Sequence, residues 1–118
     1  MSTERALRVS QSIKRELADM ILKDLRDPRL SGGLISITEV ESSPDLRSTR
    51  AFVSVFGENV KGPAVVEYLN EQAGFIRGEL CRRLKLRFAP ELVFKLDDSL
   101  ERGSKVSELL GKISRGEV

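Results

Sequence analysis

Cations are the side chains with the clearest chemical potential in this sequence, and they are concentrated in one stretch. Five basic residues stand between positions 77 and 87, with Glu79 as the one acid among them: Arg77, Arg82, Arg83, Lys85 and Arg87. On a helix these charges would repel one another, because few acids lie three or four residues away to pair with them. The stretch therefore predicts contact with a polyanion such as the phosphates of RNA. An ordinary solvated helix face is the alternative.

A second basic set lies near the start of the chain and consists of Arg5, Arg8, Lys14 and Arg15. Acids are interspersed with it, so by itself the set indicates a solvated face. Arg8 and Arg15 are seven residues apart and share one side of a helix. If that side adjoins the helix of residues 77–87, the two sets form one basic surface. We therefore predict that Arg8, Lys14 and Arg15 support the first set.

Composition argues against most catalytic chemistry. The chain has no histidine, so it cannot build a histidine general base, a catalytic triad or a histidine-ligated metal site. Asp97 and Asp98 could hold a metal ion, as in a nuclease, but with no other ligand type nearby they favour a turn. Cys81 is the one cysteine. It indicates core packing and a reducing compartment. We expect no catalysis, no metal, no cofactor and no small-molecule substrate.

The formal net charge of +2 conceals a bipolar chain. Residues 31–71 carry three bases and six acids, whereas residues 72–96 carry six bases and two acids. This polarity predicts one face turned towards a polyanion and another turned away. Charges run through the first twenty residues, and no apolar run is long enough to span a membrane. We expect a cytoplasmic protein without a signal peptide.

The apolar spacing predicts the order α-β-β-α-α-β. A first helix over 3–25 ends at Asp27-Pro28, and strands over 34–40 and 47–56 form a hairpin around Ser43-Pro44-Asp45. A helix from Pro63 is interrupted at Gly74 and continues to about Leu86. A third strand covers 92–96. A short amphipathic helix follows within the tail of residues 104–118, leaving 1–103 as the domain.

A hairpin followed by a helical crossover to a third strand predicts an α+β fold of two layers. The three-stranded sheet would be mixed or antiparallel, with its helices packed on one face. The other face would be open to solvent and would present Phe52 and Phe56. These rings could stack bases, could be covered by the C-terminal segment, or could accept a peptide or helix if the protein is an adaptor.

Several separated motifs resemble the ribosome-binding factor A family. They are Asp27-Pro28-Arg29-Leu30, the segment Val40-Glu41-Ser42-Ser43-Pro44-Asp45-Leu46, Gly74-Phe75-Ile76-Arg77, and Arg87-Phe88-Ala89-Pro90-Glu91-Leu92 followed by Asp97-Asp98-Ser99. The resemblance spans nearly the whole chain. It implies a KH-like fold of the second type, whose order α-β-β-α-α-β agrees with the order read from the spacing.

The resemblance also implies a function and a structural detail. It implies a bacterial, non-enzymatic factor, linked to growth in the cold, that binds the free or immature 30S subunit. Such a factor assists late assembly and 5′-end processing of 16S rRNA, and we expect it to act as a monomer. KH domains grip nucleic acid with a GxxG loop, which this chain lacks; the family has an Ala-x-Gly kink instead. That kink corresponds to Gln72-Ala73-Gly74, with Gln72 where the family has alanine, and it predicts Ala73 and Gly74 as kink residues.

Overall fold

The computed structural model describes residues 4–97 and shows the predicted order of elements. The elements are α1 (Glu4–Lys23), a 3-10 turn (Pro28–Leu30), β1 (Leu34–Ser42), β2 (Ser48–Phe56), α2 (Gly62–Glu71), α3 (Ala73–Leu84) and β3 (Glu91–Leu96). The predicted α-β-β-α-α-β order is confirmed. The helix expected within residues 104–118, and the boundary at residue 103, lie outside the described residues.

The three strands form one mixed sheet in the order β1-β2-β3. β1 and β2 are antiparallel, as the predicted hairpin requires, and β2 and β3 are parallel because two helices connect them. The sequence did not predict a bulge in β1 between Ile37 and Glu39. There the Thr38 hydroxyl donates to the Asp97 carboxylate, which ties β1 to the end of β3.

The helices pack on one face of the sheet, as expected for two layers. Buried apolar side chains from every helix and strand meet there and form one core: Ile13, Leu17, Met20, Ile37, Val40, Ala51, Val53, Val65, Leu69, Ile76, Leu80, Leu92 and Phe94. Their spacing explains the elements, since three- and four-residue intervals bury one side of a helix and alternation buries one face of a strand. Within residues 4–97, no helix is long and apolar enough to cross a membrane.

The other face of the sheet is less open than the sequence suggests. Phe56 is 55 % exposed, but Phe52 is only partly exposed, and Ser54 on the same face is buried. Leu34 lies opposite Phe56 in the β1–β2 pair and is also exposed. The exposed apolar side chains of this face are thus Leu34 and Phe56 at the end where β2 stops, together with Val93 of β3, which pairs with Arg50 and is 46 % exposed.

The break between α2 and α3 falls at Gln72, two residues before the predicted interruption at Gly74. Gln72 has φ −90° and ψ 5°, and its N–H lies near the carbonyls of Tyr68, Leu69 and Asn70. Any residue can adopt this bridge-region geometry, so the break does not depend on glycine. Ala73 and Gly74 belong instead to the first turn of α3. A Cβ on Gly74 would meet no atom within 4 Å, so crowding does not explain this glycine.

Candidate nucleic-acid interface

Arg77 does not face solvent as a free cation. Its Nε donates to the carbonyl of Pro90 at 2.7 Å, and its Nη2 donates to the carbonyl of Ala89 at 3.2 Å. A planar guanidinium presents two N–H groups at a fixed spacing to neighbouring acceptors, and a single ammonium nitrogen does not reproduce that geometry. The structure therefore uses Arg77 to fix the segment between α3 and β3.

Arg83 lies in a cluster of carboxylates where α1 packs against α3. Its side chain is 20 % exposed and forms ion pairs with Asp24 at 2.6 Å and with Glu16, Asp19 and Glu79 at 3.2 Å each. Its pKa is raised, chiefly by the hydrogen bond to Asp24 and despite some desolvation. The expectation that Glu79 alone opposes this stretch is wrong, because three of these acids come from α1 and from the residue just after it. Arg83 is thus neutralised within the protein.

Arg82 is the exposed neighbour of Arg83. Its side chain is 69 % exposed and pairs with Glu79 at 2.7 Å. This hydrogen bond is the main reason why the pKa of Glu79 is lowered and that of Arg82 is raised. An exposed pair contributes little to stability, so Arg82 can exchange its partner for a phosphate at small cost.

Lys85 and Arg87 leave the helix and turn towards the β1–β2 hairpin. Lys85 is the C-cap of α3, with a left-handed φ of 52°, and its N–H donates to the carbonyl of Cys81. The half-buried thiol of Cys81 donates to the carbonyl of Leu86 at 3.3 Å. These contacts end the helix and place both exposed cations, Lys85 and Arg87, on a short non-helical segment.

This segment forms one side of a cavity that we call the basic groove. The cavity has a volume of about 580 Å³ and lies between α1, the turn after β1, and residues 84–90. Four cations line it: Arg5, Arg47, Lys85 and Arg87. They come from three separate parts of the chain, which only the fold brings together. Asp45 is the one carboxylate among the lining residues.

The inner part of the basic groove is apolar with a polar floor. Its walls include Val9, Ile13, Leu84, Leu86 and Phe88, and the ring of Phe88 is 46 % exposed. The Arg47 guanidinium lies over this ring, 5.9 Å from its centroid. The hydroxyls of Ser42 and Thr49 stand at the floor. Cationic edges and an apolar interior suit a ligand that has both charged and flat apolar parts.

Asp45 offsets part of the charge of Arg47, because its Oδ2 lies 3.9 Å from Arg47 Nε, while its Oδ1 is used within the turn. It accepts hydrogen bonds from the Ser43 hydroxyl at 2.7 Å and from the Arg47 N–H at 3.1 Å. The Ser43 bond is the main reason why the pKa of Asp45 is lowered, with the Arg47 N–H next. Asp45 therefore shapes the turn that presents Arg47.

The other predicted cations of α1 stay outside the basic groove. Arg8 pairs with Glu4 at 3.1 Å and is exposed, as are Lys14 and Arg15. The side of α1 that meets α3 carries Glu16 and Asp19, so acids separate these cations from the arginines of α3. Lys14 is two residues from Glu16, which places it roughly 160° away around the helix. The packing of α1 against α3 therefore does not join the two basic sets into one surface.

The structure adds two cations to the predicted set. Arg5 belongs to the second basic set but is not among the predicted contacts, and Arg47 lies outside both basic sets. The signal in the sequence that could have identified Arg47 is its position immediately after a turn, where the residue is exposed.

Within residues 4–97, no group of three or more His, Cys, Asp or Glu side chains could hold a metal ion. Asp98 lies outside that range.

The three-stranded sheet, the helices on one face and the break at Gln72 define a KH-like α+β domain, and the basic groove gives it a surface suited to nucleic acid. A family model described as ribosome-binding factor A matches residues 5–110. The chain belongs to that family.

Relatives and solved structures agree with this assignment. The chain is 48 % identical over 111 residues to ribosome-binding factor A of Synechococcus sp. strain CC9311, covering 94 % of this chain and 83 % of the relative. It is 41 % identical over 117 residues to that of Halothermothrix orenii, covering 99 % and 94 %. The crystal structure of ribosome-binding factor A from Thermus thermophilus superposes with a TM-score of 0.66 at 27 % identity, covering 77 % of this chain and 93 % of that one.

A further similar structure comes from a complex with the 30S subunit. It is a homology model of Thermus thermophilus ribosome-binding factor A, fitted into the cryo-EM map of its 30S complex. It is similar with a TM-score of 0.65 and 26 % identity, covering 79 % of this chain and 96 % of that one.

Proposed function

We propose that this protein binds the free or immature 30S ribosomal subunit and assists late assembly and 5′-end processing of its 16S rRNA, without catalysing a reaction. The basic groove carries the proposal, because it gathers four cations from three distant segments around one concave surface. Phosphates dominate the affinity of proteins for RNA, and such a surface suits them. Membership of the family and the Thermus thermophilus protein in its 30S complex support the choice of partner.

The proposed contacts fall into three groups. Lys85 and Arg87 are central, together with Arg5 and Arg47 across the basic groove. Arg82, Arg8, Lys14 and Arg15 are exposed cations that could reach phosphates around it. Arg77 and Arg83 act indirectly, since their guanidinium groups are held by carbonyls and carboxylates. The protein would work in the cytoplasm as a monomer, without a cofactor.

A protein-binding adaptor is the second candidate, and one observation favours it. Leu34 and Phe56 lie opposite each other in the β1–β2 pair and are 65 % and 55 % exposed. Paired exposed apolar side chains at a sheet end can accept an apolar segment of a protein. In that case Phe56→Ser would weaken subunit binding more than any change in the basic groove.

Co-sedimentation with purified 30S subunits tests the main proposal. The double variant Lys85→Glu with Arg87→Glu should bind at least roughly tenfold more weakly, because two attractive phosphate contacts become repulsive. Lys95→Glu is the matched control, because Lys95 is an exposed cation on the other face of the sheet. Equal binding by the double variant and the wild type would overturn the proposal. Cleavage of precursor rRNA by the purified protein with magnesium would overturn its non-catalytic part.

A further inference from the structure

We propose that the basic groove captures a single unpaired RNA nucleotide, with the base inside and the flanking phosphates on the cationic edge. This inference rests on the proposed function and adds the form of RNA that the protein selects. It would make the protein a reader of unpaired rRNA, in addition to a basic surface that attracts any phosphate backbone.

The shape of the basic groove is the first argument. Its volume of about 580 Å³ lies within the usual range of sites that enclose small ligands. Its walls are side chains from α1 and from residues 84–90, and its floor is the sheet. A base held in a duplex is stacked and paired, so it cannot enter a concave site of this kind. A duplex could touch only the edge of the groove.

Phe88 and Arg47 provide the second argument. Phe88 is a large aromatic side chain in the lining of the basic groove, next to an arginine, and 46 % of it is exposed. The 5.9 Å separation of Arg47 from the ring centroid is near the limit of a cation–π contact, so the pair is held loosely. Unpaired bases stack on aromatic rings and on guanidinium planes, and both surfaces are available here.

The buried hydroxyls at the floor provide the third argument. Ser10 donates to Ser42 at 2.8 Å, whereas Ser42 and Thr49 are 3.4 Å apart, which is a long contact for hydroxyls. Thr49 is only 3 % exposed and yet lines the cavity. The contact of its hydroxyl with Ser42 is therefore weak, and Thr49 is one of the residues that a base in the basic groove would meet. Donors and acceptors at that depth can contact the edge of a base, which a phosphate at the rim would not reach.

The position of this site differs from the usual KH contact. KH domains clamp nucleic acid with a GxxG loop between two helices. The corresponding connection here is the break at Gln72, at the start of α3, whereas the basic groove lies beyond the end of α3 at Leu84. Capture of a nucleotide there does not depend on the missing GxxG loop.

Fluorescence anisotropy with the full chain and defined probes tests the inference. The probes are a single-stranded oligoribonucleotide of roughly eight nucleotides, the same sequence in a hairpin duplex, and an abasic strand of equal length. We expect the single strand to bind at least tenfold more tightly than either of the others. Equal affinity for the single strand and the abasic strand would overturn the inference, because binding would then need only phosphates.

Matched variants test whether the preference for the single strand arises in the basic groove. Phe88→Ala should weaken single-strand binding roughly 5- to 100-fold, the range for losing one stacked base, and leave duplex binding unchanged. Phe75→Ala is the control, since Phe75 is 53 % exposed on α3 outside the basic groove. Thr49→Val keeps the shape of the side chain and should weaken only binding of the base-bearing strand. Equal losses for Phe88→Ala and Phe75→Ala would overturn the assignment to the groove.

The co-sedimentation assay separates failure of the inference from failure of the proposed function. If the charge-reversed Lys85 and Arg87 variant loses 30S binding while all three probes bind equally, the inference is overturned and the proposed function stands. If the single strand is preferred but the wild type does not bind 30S subunits, the proposed function is overturned and the groove remains a nucleotide site. The melting temperature of each variant confirms that it folds.

Discussion

Arg83 and Asp24 join the end of α3 to the residue that follows α1, with 2.6 Å between Nη2 and Oδ2. Glu16, Asp19 and Glu79 complete the surroundings of the same guanidinium. A residue that the sequence predicts as an RNA contact is therefore the electrostatic link between two helices. Its neighbour Arg82 remains exposed. Adjacent arginines on one helix thus have different roles, and substitutions can separate them.

Arg83→Met should lower the melting temperature by roughly 5–10 °C, because it keeps the apolar stem and leaves four clustered carboxylates without their shared cation. Arg82→Met is the matched control and should change it by no more than about 2 °C, since its pair is exposed. Thermal unfolding followed by circular dichroism measures both. Equal effects of the two substitutions would contradict the division of roles.

Arg77→Lys tests whether Arg77 acts by holding the segment between α3 and β3 in place or through its positive charge. Lysine keeps the positive charge but lacks the planar pair of N–H groups that holds the carbonyls of Ala89 and Pro90, so the segment that carries Lys85 and Arg87 should loosen. We expect a lower melting temperature and weaker 30S binding. Amide hydrogen exchange should increase at residues 85–90 while exchange in α1 stays unchanged. Full retention of binding by Arg77→Lys, with loss in Arg77→Gln, would show that the charge alone is used.

The sequence was sufficient for the order of elements because each element has its own local signal. The period of α1, the alternation in β2 and the prolines at 28, 63 and 90 do not depend on distant residues. The position of the α2–α3 break was predicted less well. Glycine can adopt many backbone conformations, so its presence at position 74 does not fix where the helix breaks. The chain turns at Gln72, where the hydrogen bonds of α2 end.

The site could be predicted only in part, because long-range packing decides which charges remain available. The spacing around residues 77–87 indicated the cationic stretch, but it could not show that α1 brings three acids to Arg83 or that the carbonyls of Ala89 and Pro90 bind Arg77. Nor could it show that Arg5 and Arg47 meet Lys85 and Arg87. These residues are more than 30 positions apart, and their proximity follows from the mixed sheet.

Acid should destabilise the protein in a defined range of pH. The pKa of Asp27 is lowered chiefly by the side-chain hydrogen bond from Arg29, and then by the Arg29 backbone N–H. The pKa of Asp19 is lowered chiefly by Lys23, and that of Glu79 by Arg82. A carboxyl group whose pKa is lower in the folded state stabilises the fold above its unfolded pKa of about 4. That contribution disappears as the pH falls through the folded value.

The urea midpoint should therefore be nearly constant from about pH 5 to 7.5, where no histidine titrates, and should fall below about pH 4. Asp27→Asn should lower the midpoint at pH 6 and make the acid dependence shallower. Glu58→Gln, on the exposed loop after β2, is the control and should leave both unchanged. An acid dependence of Asp27→Asn that equals that of the wild type would contradict this linkage.

The salt dependence of RNA binding distinguishes direct phosphate contacts from general attraction. Each neutralised phosphate contributes about 0.7 to the slope of log K against log salt for single strands and about 0.9 for duplexes. Lys85→Gln and Arg87→Gln should each reduce the slope by about that amount, because both exposed cations line the basic groove. Lys95→Gln removes the same charge from the other face of the sheet and should leave the slope almost unchanged. Titrations at several salt concentrations measure this directly. A reduction by Lys95→Gln as large as that by Lys85→Gln would mean that the RNA interface is not centred on the basic groove.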